Sequence, residues 1–280
     1  MTVALLNASG CLDALTAPEV AAGLDAFVTK TITPEPREGN PPVRIAETES
    51  GMLNAIGLQG PGIDGLLADV LPALALKRLH VWVSVGGFSA ADYAGICARL
   101  EERADVEVIE LNLSCPNVPE APESSAEIVA GCRSRTSKPL YAKLSPATSD
   151  IGELARAVVG AGADGLSLVN TIRGMALDPL TLRPKLARGA GGYSGPALRP
   201  IALACVAACA RAVEVPIVAM GGVRTGLDAL EFVAAGATAV SLGTVLFADP
   251  AAPARIREEL AEAASSRGYD DPLAARGVAN

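Results

Sequence analysis

The sequence predicts an α/β fold, a (β/α)8 TIM barrel, on three observations. Short β-like runs alternate with Ala- and Leu-rich helical runs along the whole chain, which implies a parallel sheet. The alternation repeats about eight times within 280 residues, close to the ~250 typical of such barrels. Polar residues and glycines gather at the ends of the β-like runs, where a barrel builds its active site. A doubly wound open sheet is the runner-up. The lack of a G-x-G-x-x-G after the first strand counts against it.

In chain order the strands are read at Val3–Leu6, Ala26–Thr31, Leu79–Val85, Val106–Leu113, Leu140–Leu144, Gly165–Val169, Pro216–Met220 and Ala239–Leu242. Helical patterns lie between or after them at Ala90–Glu102, Ser124–Arg135, Asp150–Gly160, Leu198–Ala212, Leu227–Ala234 and Pro253–Ser266. Two stretches rich in Pro and Gly, Pro34–Gly65 and Leu177–Pro196, break the pattern and read as long irregular loops over the active face. With no linker, low-complexity tract or charge run, residues 1–280 are taken as a single domain.

Composition narrows the function. Half the residues are hydrophobic but only 3% are aromatic, so the core must be Ala, Val and Leu on closely spaced elements. The net charge of −8 argues against nucleic acid or an anionic membrane as the main partner. The six cysteines (Cys11, Cys97, Cys115, Cys132, Cys205 and Cys209) form no C-x-x-C pair and no zinc or iron–sulfur spacing, so no metal site is expected. Cys205 and Cys209 read as small core residues of a helix. A reducing, cytoplasmic setting fits. The N-terminus lacks the basic region of a signal peptide, and Ile201–Ala210 is too short to span a bilayer. His80, the only histidine, falls at the start of the third strand and receives no catalytic role.

The strand ends carry the chemistry. They are Asn7-Ala8-Ser9-Gly10, Thr29-Lys30-Thr31, the Cys115 segment, Lys143 before Ser145-Pro146, Asn170-Thr171, Gly221-Gly222 and Gly243-Thr244. Lys30 and Lys143 sit in otherwise apolar strands, where an unpaired charge is costly, so a bound anion or polar cofactor is expected beside them. The two glycine turns closing the last strands suit a phosphate approached by backbone N–H groups. Glu110–Asn117, Glu-Leu-Asn-Leu-Ser-Cys-Pro-Asn, begins as a strand and ends at a proline, with Asn112, Ser114 and Asn117 around one thiol.

These motifs, together with Asn54–Leu58, Ala142–Pro146, Gly191–Pro196 and Met220–Val223, resemble class 1 dihydroorotate dehydrogenase over residues 7–250. Asn54-Ala55-Ile56-Gly57-Leu58-Gln59 and Gly191-Gly192-Tyr193-Ser194-Gly195-Pro196 are closer to the 1B, NAD-linked branch than to the fumarate-linked 1A branch. The resemblance implies an FMN-binding TIM barrel that oxidises dihydroorotate to orotate in pyrimidine biosynthesis. Cys115 would take the C5 proton while hydride leaves C6 for the flavin. A thiol of ordinary pKa, ~8.5, needs positive potential nearby or a rise of activity with pH. Lys143 would face the flavin N1/O2 edge, and Lys30 would meet both flavin and substrate. Ser9, Thr31, Ser84, Asn112, Val169, Gly195, Gly221, Gly222, Gly243 and Thr244 would complete the FMN site. Asn54, Ala55, Ile56, Gly57, Leu58, Asn112, Asn117, Asn170 and Thr171 would hold the substrate. The resemblance also implies a homodimer or heterotetramer, and an electron-transfer partner subunit carrying FAD and [2Fe–2S].

The chain departs from that pattern in three places. Ser84 stands where the family usually has an Asn that meets the flavin. Residues 118–125, expected as a lid beside the base, carry two prolines and two glutamates instead of a glycine-rich segment, which makes the lid stiffer and more acidic. The N-terminal strand pair that plugs the barrel bottom is not recognisable. Two other readings stay open: an FMN oxidoreductase of this fold acting on another cyclic amide or enoate, and a non-catalytic flavin-binding barrel.

Overall fold

The computed structural model describes residues 3–113 and 124–280. Eight strands pair in parallel in the order β1 (Ala4–Asn7), β12 (Ala239–Leu242), β11 (Ile217–Met220), β8 (Gly165–Leu168), β7 (Leu140–Leu144), β6 (Val108–Asn112), β5 (Val81–Val85) and β2 (Phe27–Val28). Helices including Ala90–Glu101, Ser125–Arg133, Ile151–Gly160, Arg199–Ala212, Gly226–Ala234 and Ala252–Ser265 follow the later strands and cover the sheet. Each strand alternates its side chains between two environments. One set, with Val83, Ile109, Leu111, Leu166, Val240 and Leu242, packs against helix residues such as Ile96, Val129, Ala155, Val206 and Phe232. The other set fills the barrel, where Leu6, Val28, Val218, Met220 and Ala239 form a separate small cluster. At one margin of that cluster Trp82 packs on Tyr141 with ring centroids 4.8 Å apart.

The seam between β1 and β2 closes the barrel with little ladder pairing. The Asp25 N–H donates to Leu5 O at 2.8 Å, and one isolated bridge joins Leu6 to Ala26. The side chain of Asn7 then takes over. Its Nδ2 donates to Val28 O at 2.8 Å and its Oδ1 accepts from Val28 N at 2.8 Å. A fully buried carboxamide thus replaces a peptide group across the seam.

The second strand is shorter than Ala26–Thr31. Phe27 N donates to His80 O, Thr29 N to Trp82 O and Ile32 N to Ser84 O. The last step spends three residues against two, so the register slips by one at Lys30-Thr31. Such a slip ends regular pairing and re-aims the side chains at it. The other strands and helices begin and end within about two residues of the sequence reading.

The two stretches read as irregular contribute most of a second, antiparallel sheet, and that reading is corrected. Its order is β3 (Ile45–Thr48), β4 (Gly51–Asn54), β10 (Gly191–Ser194) and β9 (Ile172–Gly174). The strands are three or four residues long and three of the four carry glycine, so no apolar alternation betrays them. The glycines answer a packing demand: a Cβ on Gly191 would lie 2.3 Å from Asn54 O, and one on Gly192 only 2.1 Å from Thr171 Oγ1. A helical stretch at 62–75, with a wider turn at Leu66–Val70, also escaped the sequence reading; its Gly65 and Pro72 mask the burial of Leu66, Leu71 and Leu74. Among the described residues, no helix is long and apolar enough to cross a membrane.

The seam gives a direct test. Asn7→Leu keeps the volume but orphans two buried backbone groups of Val28, each costing about 1–3 kcal/mol. The urea midpoint of the variant, measured beside wild type under identical ligand conditions, is expected to fall by the equivalent of about 2 kcal/mol or more. An unchanged midpoint would show that the seam does not need the carboxamide.

Candidate active site

The polar strand ends meet at one mouth of the barrel in a hydrogen-bonded chain with a defined direction. Thr171 N donates to Asn170 Oδ1 at 2.8 Å, Asn170 Nδ2 to Asn112 Oδ1 at 2.8 Å, and Asn112 Nδ2 to Thr31 Oγ1 at 3.2 Å. Thr31 Oγ1 also lies 3.1 Å from Ser84 Oγ and 3.3 Å from Ser9 Oγ, and Ser9 Oγ is 2.8 Å from Thr29 O, to which it donates. Thr31 Oγ1 accepts from Asn112 Nδ2, and in its contacts with Ser84 and Ser9 either hydroxyl can donate. Buried chains of this kind polarise and rigidify one another. Two groups outside the expected set support it. Thr29 Oγ1 accepts from Ser84 N at 3.2 Å, and Tyr93 OH donates to Asn112 O at 2.8 Å.

The second sheet carries Asn54 to the same mouth. Asn54 Nδ2 donates to Gly192 O at 3.3 Å, and Gly192 presses against Thr171. The turn after Asn54 is tied down by Asn40, whose N–H and Nδ2 donate to Ile56 O and Ala55 O at 2.9 Å each. Gly57 and Leu58 both take positive φ, +81° and +55°, and bring Leu58 beside Gly86 and Thr31. Lys30 leaves the register slip and passes over Gly10, where a Cβ would meet its Cδ at 2.8 Å.

Two charges lie deeper. Lys143 and Glu110, 95% or more buried, face each other inside the barrel with Nζ and Oε1 3.4 Å apart. Glu110 stood in the quoted motif without a role, although an acid at an inward strand position was the available signal. Nearby, Cys11 is raised above the usual thiol range by burial, while Lys143 and Lys30 pull it down. Two more inward hydroxyls, Ser167 Oγ and Ser241 Oγ, are buried and have no hydrogen-bond partner among the described residues.

On the β8–β11–β12 side the glycines form a cradle. Gly195, Gly221 and Gly222 have φ of +111°, +124° and +83°. A Cβ on Gly222 would lie 2.8 Å from Gly195 O, so those two turns touch. The N–H groups of Gly222 and Thr244 donate to no protein acceptor among the described residues. Gly243 lies beside Ala8 and Cys11, and Val169, which donates to Met220 O at 3.1 Å, is buried at the same end. This arrangement can hold a polyanionic group on the glycine side and a flat polar one over Lys143. Cys115 and Asn117, with residues 118–123 of the expected lid, lie outside the described residues.

His80 sits at the opposite end of its strand, largely exposed, with Nδ1 2.5 Å from Glu107 Oε1. That hydrogen bond, more than any other influence, raises its pKa above the ordinary 6.5. As the only histidine, it gives one imidazole signal in an NMR pH titration. Its midpoint should lie above 6.5 in wild type and return toward 6.5 in Glu107→Gln; equal midpoints in the two proteins would rule out the pairing.

Comparison with known proteins places the geometry in context. A family model described as "Dihydroorotate dehydrogenase" matches residues 2–263. A Trichlorobacter lovleyi protein named dihydroorotate dehydrogenase B (NAD(+)), catalytic subunit, is 46% identical over 255 residues, covering 89% of this chain and 84% of that protein. A Listeria monocytogenes protein of the same name is 46% identical over 234 residues, covering 81% and 77%. A Solibacter usitatus protein provisionally named dihydroorotate dehydrogenase A (fumarate) is 46% identical over 244 residues, covering 85% and 80%. A crystal structure from Eimeria tenella, described as DHODH in complex with ferulenol, superposes with a TM-score of 0.80 at 24% identity, covering 98% of this chain and 84% of that one. At that identity it speaks for the fold alone.

Proposed function

The chain belongs to the dihydroorotate dehydrogenase family, and on that premise we propose that Cys115 is the base and Lys143 the cation at the cofactor in the FMN-dependent oxidation of dihydroorotate to orotate, a step of pyrimidine biosynthesis. The observation that carries the reading is the directed chain from Thr171 through Asn170 and Asn112 to Thr31, at the mouth where Lys143 is buried.

The residues present fit FMN. Among the described residues, the Gly222 and Thr244 amides lack protein acceptors, and at Gly222 a Cβ would collide with Gly195 O. That is the donor set of a phosphate cradle, completed by Gly195, Gly221 and Gly243. Ser9, Lys30, Thr31, Ser84, Asn112, Lys143 and Val169 line the remainder of the FMN site. FMN supplies the hydride acceptor. Lys143 offers positive charge where negative charge develops on reduction. Asn54, Asn112, Asn117, Asn170 and Thr171 fix the substrate carboxylate and ring amides, with Ala55, Ile56, Gly57 and Leu58 walling the pocket. Asn112 enters the pocket already oriented, because its oxygen accepts from Asn170 and its nitrogen donates to Thr31. Cys115 takes the C5 proton.

For the electrons' exit we propose a partner subunit with FAD and [2Fe–2S], the chain itself standing in a homodimer or a heterotetramer. The B-type, catalytic-subunit names of several relatives support the existence of a partner subunit. We also take residues 1–280 as one working domain, and the cytoplasm as its location.

The isolated chain is expected to purify with a flavin spectrum that dihydroorotate bleaches anaerobically. Cys115→Ser should keep FMN and lose kcat on the order of 10²-fold or more, as removal of a general base does. Retention of full activity would sink the assignment of the base. Bound FMN that dihydroorotate fails to bleach in wild type would sink the substrate. For the partner, NAD-linked turnover should appear only on adding an FAD/[2Fe–2S] subunit; fumarate reoxidising the chain alone would place it in the other branch.

A further inference from the structure

Glu110 has no part in the chemistry above, yet it occupies an unusual place. Along β6, Ile109 and Leu111 pack outward on the helices, so Val108, Glu110 and Asn112 face the barrel interior. Glu110 pairs in register with Ser84 on one side and Tyr141 on the other. Lys143 pairs in register with Asn112 and with Ser167, whose hydroxyl lacks a partner among the described residues. The other inward residues near this level, Leu6, Val28, Ser84, Ser167, Val218 and Ser241, carry no charge. Glu110 and Lys143 are therefore the charged pair inside the barrel among the described residues.

A buried ion pair is a poor stabiliser, because desolvating two charges cancels most of their attraction. Its separation of 3.4 Å exceeds the ~2.8 Å of a strong charge-assisted hydrogen bond. The pair therefore reads as a charge arrangement more than as a clamp. In a low-dielectric interior a carboxylate this close removes much of the field that Lys143 would otherwise project toward the mouth.

We propose that Glu110 is a positioning residue that holds Lys143 and offsets its charge, and so sets the reduction potential of the bound flavin. This rests on the reading that Lys143 faces the flavin edge. With Glu110 in place, the reduced, anionic flavin receives only part of the stabilisation the lysine could give. The flavin then stays easier to reoxidise.

The test is the midpoint potential of bound FMN, measured at pH 6.5 in the FMN-loaded protein by equilibration with a reference dye. Glu110→Gln should move it to a more positive value. The affinity of the oxidised flavin for sulfite, whose adduct is anionic, should rise on the order of tenfold, the scale of one unit charge nearby at interior dielectric. Glu110→Asp, which keeps the charge but withdraws it by one methylene, should shift both readouts the same way by less; it serves alone if the Gln variant does not hold FMN. Lys143→Gln should lower the potential. If it leaves the potential unmoved, the placement of Lys143 at the flavin has failed. If Lys143→Gln lowers it while the Glu110 variants leave it unchanged or more negative, the proposal is overturned. A role confined to stability would lower the unfolding midpoint and leave the potential where it was.

Discussion

The site depends on how the barrel closes between its first two strands. Parallel pairing carries the chain around the other contacts of the eight-stranded sheet, but at β1 and β2 it thins to one bridge and a few isolated bonds. A single buried carboxamide, Asn7, makes up the deficit with two bonds to Val28. Beyond it stand Ser9 on one strand and Lys30 and Thr31 on the other. Were the seam to open, Ser9 would lose its bond to Thr29 O, and Thr31 would lose its fixed position under Asn112. Closure and site geometry are therefore one constraint. The register slip at Lys30-Thr31 belongs to it, because it ends regular pairing where those two side chains must turn to the mouth.

The barrel interior divides its work by depth. Its small apolar filling, Leu6, Val28, Val218, Met220 and Ala239, follows from a sequence almost without aromatic residues. Above and beside it lie polar groups that satisfy one another in a directed chain, so the amides proposed to meet the substrate are held in fixed orientations by the protein itself. The charged pair Glu110–Lys143 stands apart from that chain. On the proposed reading, neutral amides select the substrate by shape and hydrogen bonding, while the charged pair acts separately toward the cofactor.

Much of this was legible in the residues because it repeats. The eight parallel strands announce themselves by apolar runs alternating with helical ones, and their ends are marked by Ser, Asn, Lys and Gly. Legibility stops where structure depends on contact between segments distant in sequence. Strands β3, β4, β9 and β10 are short, and the last three carry glycine where they press against one another; such segments look like loops until the partner is known. The slip at Lys30-Thr31 is set by the register against Trp82 and Ser84, which a strand's own residues do not reveal. Glu110 lay in the most distinctive motif, but its meaning comes from Lys143, 33 residues on. Asn7 likewise reads as an ordinary polar residue at a strand end until Val28 is set opposite it.

The second sheet has a consequence for the order in which the molecule assembles. It joins Asn54 to Gly192, 138 residues apart, just as β1 must wait for β12. Contacts of such sequence separation form after local ones, because chain entropy is lost before they repay it. During synthesis, β4 and the turn after Asn54 stay unbraced until residues 191–194 have emerged, and the barrel stays open until β12 follows. The glycine turns at the ends of the last two strands, proposed as the phosphate cradle, are completed last of all. A ligand that binds only the native state stabilises the closed barrel as a whole, including the sparsely paired seam between β1 and β2 that forms early in the chain.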